Sequence, residues 1–139
     1  MKYIGTYKAV KAAKLIEGQG FVFEEINKML SETTDPGQKH TLEQTARTLL
    51  IVDENANINN AMEIPSGTPA EEIEKAKSRG MIITEDGKFI ITKQNKGKIE
   101  NNELYFYEPT KFLAGTEWVK ISTDKEDELN LVTTIYKKI

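Results

Sequence analysis

Lys2-Tyr-Ile-Gly-Thr-Tyr-Lys-Ala-Val-Lys-Ala-Ala-Lys-Leu-Ile-Glu17 is the stretch on which the fold turns. At helical spacing, Tyr3, Tyr7, Val10 and Lys14 share one side, and Thr6 is placed to cap a helix. As an alternation, Tyr3, Gly5, Tyr7 and Ala9 line one strand face and Ile4, Thr6, Lys8 and Val10 the other. Ala12-Ala13 tips residues 6–16 towards helix, because alanine has the strongest intrinsic helix preference. Tyr-Ile-Gly-Thr just before it favours extended chain. Gly18-Gln-Gly20 ends whichever element precedes it.

Outward from there, Val22, Ile26, Met29 and Leu30 recur as one face of an amphipathic helix over Phe21–Leu30. Asp35-Pro36-Gly37 signals a turn, since proline presets φ and glycine accepts positive φ. Thr41-Leu-Glu-Gln44 reads as a capping box, with Leu42, Ala46, Leu49 and Leu50 on one face of the helix it opens. Asp53 to Asn60 is Asn-rich and read as irregular. Thr68-Pro69-Ala70-Glu71 predicts another helix start, with a cap, a proline in the first turn and an acidic partner, and Gly80 ends it.

After Gly80 the period becomes extended. Met81–Thr84 and Lys88–Thr92 flank Glu85-Asp86-Gly87, a hairpin pattern. Lys93-Gln-Asn-Lys-Gly-Lys98 reads as a polar loop and Glu103–Tyr107 as a strand. Thr110–Ala114 follows as a turn or short helix, and Trp118–Ile121 and Leu129–Tyr136 as further strands. The expectation is a single α+β domain over 1–139, with 1–80 helix-rich and 81–139 an antiparallel sheet.

Composition narrows the chemistry. The chain has 139 residues, no cysteine and a single histidine, so disulfides, thiol nucleophiles and cysteine-held metals are excluded. His40 sits in a polar segment beside Lys39 and reads as a surface residue. A net charge of -3 offers no global field for duplex nucleic acid. Lysine makes up 17 of the 19 basic residues, leaving Arg47 and Arg79 as the only planar forks for bidentate phosphate contacts. No apolar run is long enough for a signal sequence or a bilayer span, so a soluble protein of a reducing cytoplasm is expected.

Specific catalytic motifs are missing. Walker A, G-x-G-x-x-G and G-x-S-x-G patterns do not occur. Glu24-Glu25, Glu71-Glu72 and Glu126-Asp127-Glu128 are adjacent pairs or runs that read as solvated charge, and Asp53-Glu-Asn-Ala-Asn57 lacks the glycine and distal glutamate of a calcium loop. The most distinctive feature is aromatic. Five of the chain's eleven aromatic residues, Tyr105, Phe106, Tyr107, Phe112 and Trp118, fall between 105 and 118. Alternation puts Phe106 inward with Phe112 and Trp118, and Tyr105 and Tyr107 on the opposite face. Two tyrosines beside Lys93, Lys96 and Lys98 make either ordinary sheet packing or a stacking surface for a base, a protein or a second copy.

Two stretches resemble small proteins of bacteriophages and prophages. Tyr3-Ile-Gly-Thr-Tyr-Lys-Ala-Val-Lys-Ala12 is similar to the Tyr-Ile-Gly-Thr-Lys-x-Val-x-Ala opening of uncharacterised phage proteins. Those close with a Tyr-x-Ser-Trp-Ser-Pro-Lys-x-Val-Phe segment, whose counterpart here is Leu104-Tyr-Phe-Tyr-Glu-Pro-Thr-Lys-Phe-Leu113. The second resemblance is to phage sponges that block Thoeris immunity by sequestering a cyclic ADP-ribose signal. That family opens with an Ala-rich short helix, a glycine turn and a strand, to which Tyr7–Phe23 is similar. Pro109–Trp118 is similar to its closing Pro-Ser-x-x-Asp-x-Leu-Ala-x-Asp-Trp segment, though out of register, and the aromatic Gly-Trp of the opening strand is missing.

The resemblance implies a non-enzymatic counter-defence protein of the host bacterial cytoplasm, without cofactor or metal. Its partner would be a cyclic nucleotide or ADP-ribose-type small molecule, and it would act as a homo-oligomer. On that expectation Tyr105 and Tyr107 stack the base, Lys96, Lys98 and Lys111 hold phosphates, Arg47 makes a bidentate contact, and Asn101 and Asn102 read base or ribose edges. The alternative is a protein-binding inhibitor of a host nuclease or defence enzyme, anti-CRISPR-like, using Glu71–Glu74 and Asp124–Glu128 as nucleic-acid mimicry. A net charge of -3 is low for a mimic.

Overall fold

Gly5–Ile16 is a strand, β1, and its pairings organise the molecule. The computed structural model describes residues 2–108, 117–131 and 133–139. Alanine's helix preference is overridden by neighbours on both edges. Tyr7 and Ala9 are buried, and the strand pairs with β11 (Thr134–Lys138) on one side. On the other side it pairs with β3 (Thr48–Val52) and then with β2 (Gly20–Glu25). A bulge between Ala9 and Lys11 shifts the register part-way along, so the distal half carries a different set of residues on the core side.

The first eighty residues alternate strands with helices and are not a helical half. Phe21-Val-Phe23 is extended in β2, and α1 is confined to Ile26–Glu32, where Ile26 is buried and Leu30 packs against the core. The next helix, α2 (Pro36–Ala46), starts earlier than the Thr41 box suggests. The Asp35 side chain caps it by accepting from the Gly37 amide at 3.1 Å, with Pro36 in the first helical turn. Leu49 and Leu50 therefore belong to β3, and part of the Asn-rich segment forms β4 (Ile58–Glu63). α3 spans Ala70–Ser78. The Thr68 hydroxyl donates to the Pro65 carbonyl at 2.6 Å instead of capping the helix.

The hairpin after Gly80 forms as expected: β5 (Ile82–Ile83) pairs with β6 (Phe89–Asn95) around a turn closed by Asp86. The Asp86 carboxylate accepts from the Thr84 hydroxyl at 2.6 Å and the Lys88 amide at 3.0 Å, and these bonds hold its pKa below the usual carboxylate value. β6 continues through Lys93 to Asn95 and the next strand begins at Gly97, so the expected lysine loop is strand except at Lys96. The large sheet runs β10 (Glu128–Leu131), β11, β1, β3, β4, β6, β5, with β2 beside β1. Residues 129–136, expected as one strand, contribute to two, β10 and β11.

A second sheet of three strands holds β7 (Gly97–Glu100), β8 (Glu103–Tyr107) and β9 (Trp118–Lys120). The described strand pairings are antiparallel in both sheets, and with three helices among the described residues the fold is α+β. One apolar cluster joins the sheets: Tyr7, Leu50, Val52 and Ile58 from the large one, with Leu104, Phe106 and the adjoining Ile121 from the small one. The chain crosses from one sheet to the other at Gly97, where a Cβ would clash with the Ala56 carbonyl oxygen. Only glycine fits there. The Tyr3 hydroxyl donates to the Asn102 carbonyl at 2.8 Å, and the Tyr7 hydroxyl to the Tyr3 carbonyl at 2.9 Å, tying the amino-terminal segment to the small sheet. Among the described residues no helix is long and apolar enough to cross a membrane.

Candidate functional site

The small sheet has one buried face and one open face, and strand alternation assigns each residue. Leu104 and Phe106 point into the core, with Ile121, just past β9, packed beside them. Tyr105 and Tyr107 stand on the other side, half-buried. The register brings Lys98 and Lys120 to either side of Tyr105, and Trp118 directly opposite Tyr107. Directly opposed residues in an antiparallel pair share a face, so Trp118 belongs with the tyrosines and not with Phe106 in the core. Its own strand already carried that signal. Val119 and Ile121 are the apolar pair of the alternation, and Trp118 and Lys120 the other.

The open face is built from rings and cations. Tyr107 and Trp118 have ring centroids 5.1 Å apart, tilted by 58°. The Lys98 ammonium lies 4.4 Å from the Trp118 centroid and 5.7 Å from that of Tyr105. The same ammonium pairs with the Glu100 carboxylate at 3.0 Å. A partly exposed cation–π contact is worth about 0.5–1 kcal/mol, and an exposed ion pair at most about 1 kcal/mol. Lys98 is therefore held over the rings by forces that a stronger ligand can displace.

The structure brings some of the expected site residues together and separates others. Tyr105, Tyr107 and Lys98 form the face, and Lys96, between β6 and β7, accepts through its carbonyl from the Tyr107 amide at 2.9 Å and stands beside it. Asn101 and Asn102 have φ of 52° and 66° and make the two-residue turn between β7 and β8. Asparagine tolerates this left-handed backbone better than most residues, so the pair has a turn-forming role. Arg47 caps the end of α2 next to β3, in the large sheet's portion of the chain. Lys111 and Phe112, and the expected Thr110–Ala114 element, lie outside the described residues.

Other features resolve locally. The Asp53 carboxylate accepts from the amides of Asn55 and Asn57 at 2.9 and 3.0 Å, so the calcium-like segment spends its acidic group on its own turn. His40 is exposed on α2. Ser122 accepts from the Leu104 amide at 3.1 Å and donates to the Glu103 carboxylate, a link that pins β8 to the strand beside it. Among the described residues no group of three or more histidine, cysteine, aspartate or glutamate side chains is placed to hold a metal ion. Open clefts of about 850, 420 and 460 Å³ lie away from the aromatic face. The largest lies between Ala13–Leu15 of β1 and the α1–α2 pair.

The chain matches no family model, no curated protein and no solved structure. Tyr7–Phe23, likened to a helix, turn and strand, forms the β1–β2 hairpin instead. The open face of the small sheet therefore carries the functional reading.

Proposed function

We propose that the protein works by binding: the open face of the small sheet takes up a cyclic nucleotide or ADP-ribose-type signal and withholds it. The reading is that of a non-enzymatic, phage-type counter-defence protein acting in the host bacterial cytoplasm. The observation that carries it is Lys98 lying 4.4 Å from the Trp118 ring centre, beside Tyr105 and Tyr107. Aromatic stacking on a base is worth about 1–3 kcal/mol, more than the roughly 0.5–1 kcal/mol of an exposed cation–π contact. A base therefore displaces Lys98 from Trp118, and the freed ammonium, with Lys96 and Lys120 nearby, meets the phosphates. One residue thus serves both states, covering the rings when the face is empty and neutralising phosphate when it is filled.

Trp118 is the only tryptophan in the chain, so its fluorescence reports this face alone. Titration with a panel of cyclic dinucleotides, cyclic mononucleotides and cyclic ADP-ribose should quench it for at least one member. Mass spectrometry should then recover that ligand intact. Tyr105→Ala should weaken the response by about 1–3 kcal/mol. Silence across the whole panel refutes the reading.

A second reading has its own support, since the rings lie on a sheet surface and not in the three clefts found among the described residues. Half-buried tryptophan and tyrosine on a sheet surface are among the residues that anchor protein interfaces. On that reading the chain inhibits a host nuclease or defence enzyme. Inhibition of such an enzyme by the native chain and not by Trp118→Ala, with no small molecule bound, would favour it.

A further inference from the structure

The β1–β2 hairpin carries bare apolar surface that the open aromatic face does not explain. Leu15 and Phe21 stand opposite each other across the hairpin and are 70% and 69% exposed. Phe23, two residues on and on the same face, is 37% exposed. Among the described residues β2 has a single sheet partner, β1, so its outer edge ends the described sheet there. Its first four residues, Gly20-Phe-Val-Phe23, are exposed and include no lysine, no proline and no charge, the usual devices that keep a strand edge from pairing.

We infer that two copies of this chain associate by antiparallel pairing of β2 with β2 about a two-fold axis at Val22. A second copy fits because β2 complements itself in this register. Phe21 meets Phe23 of the second copy at two symmetry-related places, and Gly20 meets Glu24. No like charges stand opposite each other. A two-residue slip, centred on Phe23, sets Phe21 against Glu25 and Val22 against Glu24, which opposes apolar side chains to carboxylates.

The area sets the strength. A phenylalanine offers about 150–250 Å², so the uncovered parts of Phe21 and Phe23 supply roughly 200 Å² of apolar contact per copy. With Val22, Leu15 and the strand backbone this stays below the roughly 1,200 Å² of a standard stable interface. The dimer is accordingly weak, forming in the micromolar range and above. It supplies the oligomer of the sequestration reading without resting on it, because its contacts are separate from the small sheet.

The absence of native cysteine gives a direct test. Antiparallel partners at a two-fold lie about 4.5–5.5 Å apart between Cα atoms, within disulfide reach. Val22→Cys should therefore form a covalent dimer under mild oxidation, while Ser78→Cys, exposed on α3, should remain largely monomeric. Sedimentation of the native chain should show a concentration-dependent dimer that Phe21→Lys weakens at least tenfold and Tyr105→Ala leaves unchanged. The inference fails if the native chain stays monomeric into the millimolar range. It fails equally if Phe21→Lys leaves dimerisation intact, or if Val22→Cys cross-links no faster than Ser78→Cys.

Discussion

The two sheets share a core but use their faces differently. At the centre of the large sheet, consecutive residues Leu49 and Leu50 point to opposite faces and both are fully buried, as is Ala61 opposite Leu49. That region is buried on both sides and has no surface left for a ligand. The small sheet buries only the face bearing Leu104 and Phe106, and leaves Tyr105, Tyr107, Trp118 and Lys98 partly exposed. Within β8, therefore, stability and recognition alternate residue by residue. A strand covered on one face can carry both tasks, because each side chain answers to only one of them.

The sharpest way to break this division is to truncate neighbours in β8. Leu104→Ala removes a fully buried side chain and should cost about 2–5 kcal/mol in chemical unfolding, with Trp118 fluorescence as the probe. Tyr105→Ala, one position along, should cost no more than about 1 kcal/mol, since it opens no core cavity. Equal losses at the two positions would show that the open face is structural.

Alkali separates the two regions by a different property. Burial pushes the hydroxyls of Tyr7 and Tyr136 up to about 12, from an ordinary 10.0, with neighbouring Tyr3 and Asp127 adding to the effect at Tyr7. The unfolded chain loses these protons first. The core tyrosines' contribution is therefore intact below pH 10 and is lost as pH rises from there towards about 12. Unfolding midpoints should fall over that window, and Tyr136→Phe should flatten the dependence. A midpoint that stays level through the window would contradict the burial of these hydroxyls.

The smallest effect belongs to Lys98. Lys98→Met removes a cation–π contact and an exposed ion pair, and should change stability by less than about 1 kcal/mol. The same substitution should alter Trp118 emission and weaken uptake of an anionic ligand. A large stability loss would place Lys98 with the core instead of the face.

Much of the chain was legible where punctuation is local. Gly80, the Asp86-Gly87 turn and the strand at 103–107 follow from residues that act on their immediate neighbours. The Asp35-Pro36 signal was visible too, but it opens α2 and does not merely turn the chain. Misreadings cluster where a partner distant in sequence decides. Alanines in β1 are extended because β2 and β11 pair with them, and Phe21–Phe23 is extended because β1 is there to pair with it. The candidate face was legible in part. Tyr105, Tyr107 and Lys98 are close in sequence, while Trp118 joins them only through the β8–β9 register.

By itself the sequence determined the available chemistry: no thiol, one imidazole, lysine as the dominant cation, and aromatics crowded near residues 105–118. These are properties of the side chains and hold in any fold. Only the tertiary structure decided that residues 5–16 form a strand, that Lys98 rests over Trp118, and that β2 has no second strand partner among the described residues. Each of these depends on backbone hydrogen bonds between segments far apart in the chain, or on the absence of a second partner. Local propensity, worth tenths of a kcal/mol per residue, is too small to resist a strand pairing that buries a side chain as large as Tyr7.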